Sequence, residues 1–387
     1  MSAATNGARA RSLGGWLRGA VLGLAGVLSL GGCVRAEPRV AFWVQPMYAA
    51  FGGARLHAVD EVLTSSTTDP AGHEQYSASV RSHWLEPRAG LVPAIGISVG
   101  VGRGWGVAAQ ARLASSGHAL SGHLEALPPS NGTIYENGVV LWGGNYELPD
   151  ERQFRAPDDE HPSGWAPIDW KADSGVSVGL GKVGAYGVVY RSSTLGVSVD
   201  GGLNVFYLDH RLDRQVAMTA QVTADLDKDG TDDRGEDRIT MVESARSRGT
   251  VLGPGVGVRV VGDLGPFQAE LGASHGWATG AFRTESLFRR TDDVRTDLGK
   301  DGTWDESRRS VEEAPFAQEV SATVPVTQVR AILSYPIGPL RIGGGAFYAL
   351  YRGVPVSPDF SYRDMTFKER RQDVSVSGVG LYLQASF

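Results

Sequence analysis

Apolar and polar positions alternate with a period of two along much of the chain. Between residues 91 and 101 one parity is apolar throughout, whereas the other carries mostly small residues. A period of two is that of a β-strand, in which successive side chains point to opposite faces. The pattern resumes at Trp105 after a short Gly-containing turn, and it recurs over residues 195–207 and 267–274. The sequence therefore predicts an all-β chain built from hairpins.

The polar parity of these strands is dominated by Gly, Ala, Ser and isolated charges. The solvated face of a soluble β-sandwich would carry mainly long polar side chains such as Lys and Glu. Small and charged residues instead suit the crowded polar lumen of a membrane barrel, whose apolar parity faces lipid.

Short and long connections between the strands alternate strictly. Short connections lie at residues 102–104, 191–194, 262–266 and 336–339, and long polar ones lie near residues 57–75, 115–172, 209–248, 280–322 and 353–373. This alternation is typical of bacterial outer-membrane barrels, which have short periplasmic turns and long extracellular loops. The sequence therefore predicts an antiparallel transmembrane β-barrel.

The strand count follows from these connections. Residues 41–51, four hairpins and the last strand give ten strands, an even number as such barrels require. The apolar parity slips across residues 181–184, which allows a turn there, and residues 133–146 allow a further hairpin. Counts from eight to fourteen therefore stay open.

The first 36 residues have the features of an export signal, which leaves residues 37–387 as the mature barrel. Arg9, Arg11 and Arg18 precede an apolar stretch at residues 19–30 that is too short to span a bilayer as a helix. Residues 34–36 allow ordinary cleavage after Ala36. Alternatively, residues 30–33 resemble a lipobox, in which Cys33 is lipidated, and this option implies a bacterial source.

The C-terminal strand carries apolar residues on one parity up to Phe387. It resembles the insertion signal of outer-membrane barrels, which implies that the barrel assembly machinery and outer-membrane lipid are partners. Residues 252–259 and 264–267, with the return strand to Trp277, look like the repeated hairpin of the pore-forming major outer membrane protein family. This resemblance implies a barrel in the bacterial outer membrane that admits small solutes and brings no catalytic residues with it.

Composition excludes several other classes of protein. Gly contributes 52 of 387 residues, apolar residues make up 42% and charged residues 21%, a balance unlike that of disordered or helical membrane proteins. The single Cys excludes a disulfide scaffold and Cys-ligated metal sites. A net charge of −6 gives no reason to expect nucleic acid as a partner.

Strand parity also predicts which polar side chains line the lumen. These are Gln110, Arg112, Asp200, Asn204, Arg259, Gln268, Glu270, Gln328, Arg330 and Arg341. Arg and carboxylate groups in a lumen either line a water-filled path or pair across it and lock it. A barrel of ten strands is largely filled by side chains, and a wider barrel favours a conducting pore.

One acidic segment has the spacing of a calcium-binding loop. Asp225, Asp227, Asp229, Thr231, Asp233 and Glu236 occupy positions 1, 3, 5, 7, 9 and 12 of an EF-hand-like loop, with Gly230 at position 6. Asp232 departs from the apolar residue usual at position 8, so an ordinary acidic surface loop is the alternative. Residues 297–305 echo the segment but lack an acid at position 12, which favours a duplicated turn.

Catalytic patterns are sparse, and the sequence predicts no enzyme. Among the histidines His118, His123, His210 and His275, only His210 follows an acid, Asp209, and adjacent strand residues point to opposite faces. A passive pore for small solutes is the leading prediction. A non-conducting structural or surface-interaction barrel with calcium-binding acidic loops is the alternative, and a lipid- or peptide-modifying barrel enzyme is the third.

Overall fold

The computed structural model is all-β. It describes residues 39–52, 56–68, 74–85, 89–101, 104–124, 134–141, 168–224, 233–297, 303–361 and 366–387. The strands are β1 (Arg39–Gly52), β2 (Leu56–Thr68), β3 (Glu74–Leu85), β4 (Gly90–Gly100), β5 (Trp105–Leu124), β6 (Ile134–Leu141), β7 (Ile168–Arg191), β8 (Leu195–Ala224), β9 (Asp233–Leu264), β10 (Phe267–Asp297), β11 (Glu306–Ile337), β12 (Leu340–Ser361) and β13 (Thr366–Ser386).

Ten of these strands form a closed antiparallel barrel, in the order β1-β4-β5-β7-β8-β9-β10-β11-β12-β13 and back to β1. The prediction of an all-β barrel of ten strands is therefore confirmed. Residues 181–184 lie inside the continuous strand β7, so the alternative turn is not formed there. Strands β2, β3 and β6 form a separate sheet in the order β3-β2-β6. Residues 134–141 of the longest predicted loop thus contribute one strand.

Both chain ends of the barrel meet at the end that holds the tight turns. The backbone N–H of Phe387 donates to the carbonyl of Val40 at 2.8 Å, and Val40 donates back at 3.1 Å. Turns at residues 265–266 and 338–339 place Gly265 and Gly338 at φ of +63° and +60°, a left-handed conformation that favours glycine. We call this end of the barrel the turn end.

At the opposite end, the strands continue through most of the segments predicted as loops. Strand β8 extends to Ala224 and β9 begins at Asp233, so only residues 225–232 separate them within the predicted loop 209–248. The reason is a change in which parity is apolar. Val199 and Leu203 near the turn end point outward and are exposed, whereas Phe206 and Leu208 further along β8 point inward and are buried.

The interior of the distal half is a packed apolar core. Its buried side chains come from most strands of the ring and include Met47, Val178, Phe206, Phe282, Val326 and Tyr351. Among the residues that the structure describes, no helix has the length and apolar character needed to span a bilayer. The predicted signal segment, with Cys33, lies outside the described residues.

Candidate functional site

A belt of exposed apolar side chains surrounds the barrel next to the turn end. It includes Phe42, Val44, Tyr48, Leu91, Ile95, Trp105, Val199, Leu203, Leu252, Val256, Val258, Leu264, Leu271, Trp277, Val329, Leu333, Ile342, Tyr348, Leu381 and Leu383. Beyond the belt most outward positions are charged or polar, as with Arg246 and Arg283, although isolated valines such as Val242 also point outward there. The outer wall therefore divides into an apolar zone near the turns and a polar zone beyond it.

Inside the belt lies a polar cavity of about 390 Å³. Nine of the ten side chains named from strand parity line it: Gln110, Arg112, Asp200, Arg259, Gln268, Glu270, Gln328, Arg330 and Arg341. The tenth, Asn204, is buried and packs over Gly255 and Gly276, where glycine leaves room for it. The cavity also contains Lys182, which sequence reasoning missed because the apolar parity slips around this residue.

As far as the structure describes the chain, only two of the cations that line the cavity are paired with a carboxylate. Lys182 pairs with Asp200, and Arg330 pairs with Glu270. Arg341 donates to the amide oxygen of Gln268. Arg259 donates to Ser198 Oγ at 3.3 Å and lies 5.3 Å from the Tyr186 ring centre. Five cations thus face two carboxylates across the lining.

Arg112 is the most buried cation of the cavity, with only 3% of its surface exposed. Its guanidinium lies 3.8 Å from the ring centre of Phe347 and 5.9 Å from that of Trp43, which are cation–π arrangements. Within the described part of the chain, its Nε and Nη2 donors have no hydrogen-bond partner. A buried charge of this kind is costly unless a partner satisfies it.

An apolar layer closes the lumen above the cavity. Phe206 from β8 stacks on Tyr351 from β12 with ring centres 4.2 Å apart, so the two sides of the barrel meet across its axis. Phe282, Val251 and Val324 fill the same layer and have no exposed surface. These buried side chains belong to one continuous cluster that lies between the cavity and the distal end.

The distal ends of β12 and β13 form part of this closure. We call residues 354–361 and 366–372 the plug hairpin. One irregularity in the β12–β13 register spans Gly353, whose φ is +63°, and a second lies between Val356 and Asp359. The hairpin bends into the barrel over this stretch. Phe360 stacks on Phe288 of β10 with ring centres 4.2 Å apart, which places the hairpin against the inner face of a strand two positions away in the ring.

Polar contacts hold the plug hairpin to β8 and β9. The backbone N–H of Ser357 donates to Nδ1 of His210 at 3.0 Å, and the Ser357 hydroxyl donates to the His210 carbonyl at 3.0 Å. Ser247 donates to the carbonyl of Pro355 at 3.1 Å. Burial lowers the pKa of His210 from 6.5 to about 4, and the positive charge of Arg370 adds to this effect. His210 is therefore a neutral acceptor at pH 7.

A buried ion pair lies in the distal interior. Arg214 donates to Glu243 through Nη2 at 2.5 Å and through Nε at 3.0 Å, and both side chains are almost fully buried. Arg214 also donates to the carbonyl of Ala58 at 3.3 Å, which ties β2 to the barrel. No sequence motif marks this pair, because its partners lie on two long strands that read as loops.

The polar cavity is lined by none of the other three histidines named from the sequence. His123 pairs with Asp169 at 2.6 Å on exposed positions. His275 points outward beside Trp277, with ring centres 4.8 Å apart. His118 is half-buried near the distal end of β5. As expected for neighbours on a strand, His210 points inward whereas Asp209 points outward and binds Arg246 at 2.8 Å.

Most of the predicted calcium loop falls outside the described residues. Asp225, Asp227, Asp229 and Thr231 are among residues 225–232, and Asp233 begins β9. Glu236 is buried and forms an ion pair with Arg238. Across the described ranges, no group of three acidic or metal-ligating side chains is placed to hold a metal ion. Calcium binding therefore stays a prediction. The duplicated turn expected in the second segment also stays a prediction, because residues 298–302 lie outside the described residues.

No family model and no curated protein matches the chain. Solved bacterial outer-membrane barrels resemble it in structure. The outer-membrane protease OmpT from Escherichia coli is 8% identical over 92% of this chain and 98% of its own, with a TM-score of 0.36. The toluene transporter TodX of Pseudomonas putida is 8% identical over 92% of each chain, with a TM-score of 0.19. The anion-selective porin from Comamonas acidovorans is 10% identical over 91% of this chain and 100% of its own, with a TM-score of 0.15.

Proposed function

We propose that the chain is an outer-membrane β-barrel that is closed at rest and acts by presenting its distal end to the outside of a bacterial cell. The observation that carries the proposal is that the barrel has both an apolar belt on its outer wall and a packed apolar layer, around Phe206 and Tyr351, across its interior. On β9 the belt extends from Leu252 to Leu264. For a strand tilted by about 40°, this is roughly 30 Å, the thickness of a bilayer's hydrocarbon core.

The belt also supports an orientation. The turn end holds both barrel termini and lies at one edge of the belt, an arrangement typical of the periplasmic side. The polar zone of the wall, formed by the distal parts of the long strands, then stands outside the membrane. Backbone pairing around the closed ring leaves no strand edge to face lipid.

The passive pore favoured by the sequence is the second candidate. The polar cavity favours it, because its lining residues begin at Gln268 and Arg341, one residue inside the tight turns. Conduction through this lumen requires that the plug hairpin and the Phe206–Tyr351 layer move aside. The closed form therefore favours surface presentation over passive conduction, and no enzymatic activity is part of the proposal.

Cysteine labelling of intact cells tests the orientation. Cys33 is the only native cysteine. Of the two predicted processing routes, cleavage after Ala36 removes it and lipidation blocks its thiol. Any maleimide labelling therefore comes from the introduced cysteine. A membrane-impermeant maleimide should label Ser244→Cys on the distal outer wall of intact cells. It should label Gly338→Cys only after the outer membrane is permeabilised, and Val258→Cys in neither case. Labelling of Gly338→Cys in intact cells with protection of Ser244→Cys would reverse the proposed orientation.

A further inference from the structure

The polar cavity has an excess of positive charge that the barrel itself does not neutralise. Arg112, Lys182, Arg259, Arg330 and Arg341 line it against Asp200 and Glu270. The two carboxylates are taken by Lys182 and Arg330. Among the described residues, the other three guanidinium groups contact only neutral side chains. These three cations create an attractive potential for an anion.

The burial of Arg112 is a second observation that points to an anion, independent of the excess of positive charge. Arg112 is 97% buried, counted from its exposed fraction of 3%, and it is part of the cavity lining. Its Nε and Nη2 donors are themselves buried and have no partner in the described part of the chain. Phe347 and Trp43 contact its guanidinium, so this group is held in place. A planar guanidinium with free donors matches the geometry of a carboxylate or phosphate group.

The neighbouring side chains complete a site for such a group. Arg330 lies near Arg112, because its Nη1 donates at 3.5 Å to Gln110, which is two residues from Arg112 on the same face of β5. Tyr186 and Tyr382 add aromatic surface to the lining. The volume of about 390 Å³ falls in the range of small-molecule sites.

We infer that the cavity binds a small oxyanion, carrying a carboxylate or phosphate group, which enters from the turn end and is held by Arg112. The inference goes beyond the proposed surface function and does not depend on it. Because the barrel wall separates the cavity from the apolar belt, a soluble anion is the source, rather than a lipid headgroup lying in the membrane plane.

Calorimetric titration of the refolded mature chain tests the site. Inorganic phosphate and succinate are added separately, in a Tris chloride buffer at constant ionic strength and in detergent free of lipid. We expect saturable binding of at least one of them with a Kd below about 1 mM. Arg112→Gln should weaken it by at least about tenfold, the loss of one charge-assisted hydrogen bond. Arg283→Gln, on the exposed outer wall, is the matched control and should leave the Kd unchanged.

Thermal unfolding separates binding from a purely structural role of Arg112. The anion should raise the unfolding midpoint of the wild type and not that of Arg112→Gln. Without anion, the variant should be no less stable, because it lacks an unpaired buried charge. If Arg112→Gln does not fold, Arg341→Gln takes its place, with the same expectations for the Kd and for the effect of the anion on the unfolding midpoint. Absence of saturable binding to the wild type, or equal binding by the lumen variant and Arg283→Gln, would overturn the inference.

Discussion

The buried pair of Arg214 and Glu243 sets the stability of the distal interior at the residue scale. Glu243→Gln leaves the Arg214 charge buried without its carboxylate, which should cost about 3–5 kcal/mol. The loss should appear as faster hydrogen exchange at the distal ends of β8 and β9. Glu313→Gln is the matched control: it breaks the 2.6 Å pair with Arg289 on the exposed wall, and it should cost about 1 kcal/mol or less. Equal losses would contradict the role of burial.

His210 gives the distal interior a pH dependence. Its pKa is 6.5 when unfolded and about 4 when folded, so the unfolded chain takes up a proton first as the pH falls. Stability is therefore complete above pH 6.5 and declines between pH 6.5 and 4, by on the order of 3 kcal/mol. Urea unfolding at several pH values measures the decline. His210→Gln should flatten the decline of the unfolding free energy with falling pH. His275→Gln, on the outer wall, should leave the decline in place. An unchanged decline in His210→Gln would mean that other titratable groups cause it.

Strand parity predicted which polar side chains point inward, but it did not predict how they pair. Each position on a strand has a fixed face, so the sequence alone names Arg330 and Gln110 as inward residues. Their contact joins residues 220 positions apart, and it depends on the order of strands around the ring. The open donors of Arg112 depend in turn on where Phe347 and Trp43 pack.

Strands were easier to predict near the turns than at the distal end. The ten-strand ring and its short turns follow from alternation, because one physical rule governs the belt: apolar residues outside and polar or small ones inside. Beyond Leu252 on β9 the rule inverts, with Met241 and Ala245 inside and Arg246 and Arg248 outside. Outward charges then resemble a solvated loop, which is why the strands were expected to end early.

The plug hairpin was not predictable from its own sequence. It reads as a polar loop, and its position depends on contacts with His210 and Phe288 on other strands. The bend does have a local sequence signal, which is the glycine at position 353, where the backbone adopts a positive φ.

Gly353→Val tests this bend. A β-branched residue in the left-handed region should cost about 1–3 kcal/mol and loosen the plug hairpin. Limited proteolysis should then cut residues 354–372 more rapidly. Gly338→Val places the same strain at the turn end and should not change cleavage of the hairpin. Equal cleavage in the two variants would mean that Gly353 does not position it.

For the whole molecule, the apolar belt should control membrane insertion. Arg at Val256, Val258, Leu271 or Leu383 should cost about 2–4 kcal/mol near the mid-membrane and lower the yield of folded barrel in vesicles. Val242→Arg is the matched control, because Val242 points outward on β9 beyond the belt. A folded, soluble protein of unchanged stability from the belt variants would contradict a membrane barrel.

The closed lumen is the central claim, and single-channel recording in a planar bilayer tests it most directly. The refolded mature chain should insert and stay electrically silent, with and without millimolar calcium. A variant that lacks residues 354–372, with Gly353 joined to Asp373, and also carries Phe206→Ala and Tyr351→Ala removes both parts of the closure; we expect ion conductance from it. Steady openings of the wild-type chain would contradict the closed barrel and restore the passive pore.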